Sequence, residues 1–167
     1  MSNLIGFKTL LYRECHRFMR LFNQTLIPPI LTAVLYILIF GYSLGGSIRT
    51  IDGVPYLQFL VPGLVMMSII SNAYANTSTS LYLARFQGNI AELLVSSMSY
   101  FEIVFAIVLG GVARGFAVAV FVTAVSLPLA HITVLHPLVT LYFATMVAFI
   151  FSCAGFLSAL WARDFDR

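Results

Sequence analysis

Acidic residues are scarce in this sequence: Glu14, Asp52, Glu92, Glu102, Asp164 and Asp166 are the whole set among 167 positions. None lies inside a long apolar run, so converging carboxylates within a membrane, which an embedded hydrolase or proton relay needs, are excluded. Cysteine is nearly as rare, and the two present, Cys15 and Cys153, fall in segments too far apart for a disulfide. No Walker A loop, no GxGxxG after a strand, no CxxC and no GxSxG occurs, so nucleotide chemistry and the common forms of nucleophilic catalysis are absent. His131 and His136 share a short loop with no acid or cysteine beside them, so no metal site is expected. Charge of either sign makes up only 9% of residues, far below what a soluble domain carries.

What fills the sequence instead is apolar: hydrophobic residues account for 60%. They gather in four blocks, about 26–44, 59–82, 103–129 and 138–161. A helix needs about 20 mostly apolar residues to cross a bilayer, and each block reaches or approaches that length. Continuous runs without short alternating segments favour helices over a membrane barrel. The expected fold class is all-α, a polytopic integral membrane helical bundle with four helices present. Lys8, Arg13, Arg17, Arg20, Arg85, Arg163 and Arg167 fall on one side of these spans and Arg49 alone on the other, which places both termini in the cytoplasm. The charged first 25 residues, followed by a long apolar run without a cleavage site, give no reason to expect a removable signal peptide.

Residues 1–25 read as an amphipathic interfacial helix, with Phe7, Leu11, Phe18 and Phe22 on one face and Arg13, Arg17 and Arg20 on another. Glu14 breaks that pattern by falling near the apolar face, although Arg17, three residues on, can pair with it. Pro28 and Pro29 are expected to open the first span, where a missing amide donor costs little.

The far half of the second span is unusually polar. Asn72, Asn76, Thr79 and Ser80 recur at helical spacing, a stripe that in lipid must face other helices or a wet path. Between spans two and three, Gly88-Asn89 breaks the helix and IAELLV offers a short surface helix, with Ile90, Leu93 and Leu94 together and Glu92 beside them. That helix can rest on headgroups or receive a soluble partner.

One cation is left over. Counted from Ile103, Arg114 falls close to mid-bilayer, where it must face the bundle interior or water, snorkel, or meet a carbonyl or the polar stripe of span two. Gly111, Gly115, Ala119 and Thr123 form a small-residue ladder beside it that lets another helix approach. Arg114 is either structural, capping carbonyls where the helix loosens at Gly110-Gly111, or a charge that biases a moving helix or meets an anionic substrate.

Four stretches, RFMRLFNQTLIPP, YLQFLVPGLVMMSIISNAYAN, ARFQGNIAELLVSS and GGVARG, together make the chain resemble the inner-membrane permease subunits of type-2 ATP-binding-cassette (ABC) exporters. The resemblance covers essentially the whole chain. It implies a homodimeric permease that works with a separate cytoplasmic ABC ATPase, so that ATP and magnesium belong to the partner and this chain binds no cofactor. Membrane lipid is the other expected partner, and no nucleic acid is. Carried onto this sequence, the N-terminal amphipathic helix is 7–22, and the element coupling to the ATPase is 85–94, with Arg85, Phe86, Asn89, Ile90, Glu92, Leu93 and Leu94. Asn72, Asn76, Thr79 and Arg114 become candidates for the pathway or its gating surface, and Gly111, Gly115 and Ala119 for helix packing. The family implies six spans, whereas four are present in a partial transmembrane domain over 26–167. The chain is therefore expected to be a fragment, a frameshifted or prematurely stopped product or a natural short form, with a truncated non-transporting scaffold or regulatory partner of a full-length permease as the alternative reading.

Overall fold

In the computed structural model, residues 4–44, 50–51, 53–130 and 136–161 are described. Arg49, His131, Arg163 and Arg167, used above for sidedness and the metal question, lie outside them. Six α-helices run in chain order: α1 Leu4–Arg20, α2 Phe22–Leu38, α3 Tyr56–Phe86, α4 Ile90–Val95, α5 Tyr100–Ala130 and α6 Pro137–Trp161. The helices α2, α3, α5 and α6 are long and apolar enough to cross a membrane. A π-helical stretch, Ile39–Leu44, prolongs α2. The connection to α3 carries a two-residue antiparallel ladder, β1 Thr50–Ile51 against β2 Val54–Pro55, turned at Gly53 with φ of 81°. A tight turn of that kind demands φ > 0, which glycine supplies without strain.

Only Leu21 separates α1 from α2, and the Thr25 amide already bonds the Leu21 carbonyl at 2.9 Å. Pro28 and Pro29 therefore sit inside α2 instead of opening it, a correction to the expected position. Pro28 is exposed and Pro29 half-buried, and both line the groove between α2 and α3, where no close helix packing closes over the rings.

Each boundary around α4 has a local cause. Gly88, at φ of 75°, takes the left-handed conformation that stops α3, and its amide bonds the Arg85 carbonyl at 3.1 Å. At the other side Ser96 is extended, and the Ser99 amide donates to Glu102 Oε2 at 2.8 Å, which caps the start of α5.

The bundle is polar and small inside, large and apolar outside, the arrangement expected when the surroundings are lipid. α5 is central. Its Val112 and Ala119 pack with Ile69 and Ala73 of α3 and with Ala144 and Ala148 of α6. Val118 and Val122 meet Leu26 and Ala33 of α2. Leu138, Leu141, Phe149 and Leu157, by contrast, line the outer face of α6.

Candidate functional site: a polar cluster beneath the bundle and the corner at α4

Close approach of α3, α5 and α6 begins at glycines. A Cβ on Gly111 would overlap Thr77 Oγ1 and Ser152 Oγ, and one on Gly155 would fall 2.5 Å from the Tyr74 carbonyl oxygen. Through that gap Ser152 Oγ gives its one proton to the Val108 carbonyl at 2.8 Å, so Thr77 must be the donor in the 2.6 Å Thr77–Ser152 contact. Neither hydroxyl stood out in the sequence, because each is a single small polar residue among many in its helix. Gly111, Gly115 and Ala119 are all buried, and Gly115 faces Ala73 and the Ile69 carbonyl.

The polar stripe of α3 does not stay together. Asn72 turns towards α2, donates to the Ser68 carbonyl at 3.0 Å, and lines a groove of about 270 Å³ with Pro28, Thr32, Ser68 and Ser71. Thr79 is exposed and faces no described helix. Asn76 and Ser80 are buried and point to α1 and α5.

There the break in the α1 pattern finds its reason. Glu14, 3% exposed, lies against Gly110, accepts a 2.7 Å hydrogen bond from Ser80 and forms a 3.1 Å ion pair with Arg17. Arg17 also donates to the Asn76 carbonyl at 3.1 Å and to its Oδ1 at 3.2 Å. On the other side Arg114 reaches the same Oδ1, at 3.5 Å. Five side chains from three helices thus meet, with two guanidinium groups, one carboxylate, and Asn76 shared between the cations. The helix runs unbroken through Gly110-Gly111, so Arg114 caps no loosened turn. Beside this cluster, burial and then the Glu14 charge push the Cys15 thiol above its ordinary range.

α1 also fixes the depth of the cluster. Lys8, Arg13 and Arg20 on the same helix are exposed, and exposed cations belong among headgroups or water. The helix that carries them is bonded to Asn76 and Ser80. From Tyr56 to Asn76 is about 30 Å of helix, the thickness of a hydrocarbon core. Measured along α3, Arg114 and its partners therefore lie about one hydrocarbon thickness from Tyr56, beside the helix that carries the exposed cations. The ends of α3, α5 and α6 project beyond it.

That projection carries α4. Its residues are not buried: Glu92 and Leu94 are exposed, Ile90 and Leu93 half-buried, and Phe86 just before it is 77% exposed. Asn89 precedes the helix and accepts through its carbonyl from the Leu93 amide at 3.3 Å. Arg85, in the last turn of α3, donates from Nη1 to the Ala159 and Leu160 carbonyls at 2.8 and 3.1 Å. It thereby holds the C-terminal end of α6, where carbonyls lack helical partners and the dipole favours a cation.

Among the described residues no group of three or more His, Cys, Asp or Glu comes together as a metal centre would require. Residues 5–167 match the model of the family described as ABC-2 type transporter. Over 162 residues the chain is 44% identical to the inner membrane transport permease YadH of Escherichia coli K12, covering 97% of this chain and 63% of that protein. The proteins of the same name from Escherichia coli O157:H7 and Shigella flexneri match to the same extent. The chain thus spans less than two thirds of the length of these curated relatives. No solved structure matches.

Proposed function

The chain belongs to the ABC-2 type transporter family, and on that premise we propose that it is the membrane-spanning permease part of an ATP-driven export system of the bacterial inner membrane. ATP and magnesium bind to a separate cytoplasmic ATPase, and the permease acts as a homodimer with both termini in the cytoplasm. The observation that carries this reading is α4: a short, exposed helix held between the two longest helices of the bundle, on the side where α1 presents its exposed Lys8, Arg13 and Arg20. An element placed so can receive a soluble partner and pass its displacement to α3 and α5, the kind of rigid link that coupling needs. Arg85, Phe86, Asn89, Ile90, Glu92, Leu93 and Leu94 form this contact. The α2–α3 groove at Asn72 is largely apolar, with Thr32, Ser68, Ser71 and Asn72 as its polar members, and is suited to a pathway completed by a second copy.

The scaffold alternative draws less support, because Gly111 and Gly115 are already filled by Thr77, Ser152 and Ala73 and are not open to another permease. The test is co-purification with a cytoplasmic ABC ATPase co-expressed from the same genome. Replacing Glu92 with Lys and Leu93 with Ser is expected to abolish recovery of the ATPase while leaving membrane insertion intact. Undiminished recovery would remove α4 from the contact.

A further inference from the structure

Charge accounting around Arg114 leaves one positive unit over. Beside Arg17 and Arg114 stands one carboxylate, Glu14, which pairs with Arg17 and spends Oε2 on Arg17 and Ser80. The other carboxylates among the described residues are out of reach. Glu102 caps the start of α5, about 18 Å down the same helix. Glu92 is exposed on α4.

The donors are unbalanced in the same direction. Arg114 meets Asn76 Oδ1 through Nη1 at 3.5 Å, the limit of a hydrogen bond, while its buried Nε has no partner. The Nε edge of a guanidinium is the side-on fork that takes two oxygens of one oxyanion. A water can satisfy an N–H, but it does not neutralise a cation shielded from solvent. The cluster also stands at the level of the headgroups, as the exposed cations of α1 and the 30 Å of α3 above it require.

We propose that Arg114 and Arg17 form a phosphate-binding site. The Nε edge of Arg114 takes two oxygens of a phosphate ester, Arg17 supplies the second cation, and Asn76 Oδ1 holds the two guanidiniums at a fixed spacing. The phosphate belongs to a phospholipid headgroup or to a free phosphate compound. The site does not depend on export, so its test stands apart from that of the α4 contact.

The chain, purified in a maltoside detergent that contains no phosphate, is titrated with short-chain phosphatidylglycerol and, separately, with inorganic phosphate, each against chloride at equal ionic strength. Thermal unfolding is followed by the helical signal. Phosphatidylglycerol is expected to raise the midpoint, with an apparent affinity that falls by roughly tenfold or more in Arg114→Lys, which keeps the charge and loses the fork. Arg20→Gln, which removes an exposed cation, is expected to leave the affinity unchanged. If inorganic phosphate protects at the same concentration as the lipid, the free compound is the source; if only the lipid protects, the headgroup is. Equal affinity in Arg114→Lys and the unaltered chain overturns the proposal. So does equal protection of the unaltered chain by chloride, a result that needs no variant to fold.

Discussion

Glu14 of α1 occupies the space that a side chain at position 110 of α5 would need. A Cβ built on Gly110 falls 2.7 Å from the Glu14 Cβ and 3.4 Å from its Cγ. This contact, with the ion pair and hydrogen bonds it shelters, converts an amphipathic segment into a helix docked along the bundle.

Gly110→Ala should therefore loosen α1. The clash involves Cβ of Glu14, not the tip of a flexible chain, so relief requires the helix to shift. Overpacking of this kind costs about 1–3 kcal/mol. A lowered thermal midpoint, together with faster tryptic cleavage at Arg13 and Arg17, is the expected result. An unchanged cleavage rate would mean that α1 is held elsewhere along its length.

Two glycines in the same bundle should behave in opposite ways. A Cβ built on Gly155 would fall 2.5 Å from the Tyr74 carbonyl oxygen, whereas one on Gly63 meets nothing within 4 Å. Gly155→Ala is expected to separate α6 from α3 and to destabilise the protein by about 1–3 kcal/mol or more. Gly63→Ala should be neutral or stabilising by up to about 1 kcal/mol, since alanine is the better helix former. Midpoints measured side by side in one detergent check both signs.

Why some of this was legible in the sequence and some was not follows from where the information lies. The four spans and the break at Gly88 are local, written in apolar length and in a residue that tolerates positive φ. Two further local signals were there to be read and were passed over. Asp52-Gly53 marks a tight hairpin turn, and Ser99 followed three residues on by Glu102 marks a helix start. Glu14 is different in kind. A helical wheel shows it as a defect, because its partners, Gly110, Ser80 and the Arg17 that also reaches Asn76, become visible only once α1 lies against α5 and α3. The polar stripe of α3 was legible only in part for the same reason. Spacing put Asn72, Asn76 and Thr79 together, but the neighbouring helices divide them among a groove, a buried cluster and the outside.

Cys15 offers a pH-dependent reading of that docking. Burial and then the neighbouring Glu14 charge both disfavour the thiolate, so the folded thiol titrates above its ordinary value. The folded chain then holds a proton that the unfolded chain has released, so stability falls as pH rises through the window between the ordinary and the raised value. Below the ordinary value the contribution is fully present. Maleimide labelling at Cys15 should be slow near neutrality and keep rising beyond about pH 8.5, where an unperturbed thiol would begin to level off. Gly110→Ala should speed it at neutral pH, and equal rates in the two proteins would detach the thiol's environment from the docked helix.

Arg85 stands at the junction of two roles, since it precedes α4 and also holds the end of α6. If its main work is to tie α3 to α6, Arg85→Gln should release the last turn of α6, and amide exchange over residues 157–161 should quicken by about fivefold, equivalent to about 1 kcal/mol for a charged hydrogen bond at a partly exposed site. Amides of α4 should hardly change, because their own bonds, such as Leu93 to the Asn89 carbonyl, do not involve Arg85. The reverse pattern, faster exchange in α4 with α6 unaffected, would assign the residue to the corner itself. The expected pattern makes α3 and α6 one mechanical unit, clasped by Gly155 on Tyr74, by Thr77 on Ser152 and by Arg85 on the final carbonyls. A push delivered at α4 would then reach α6 through α3.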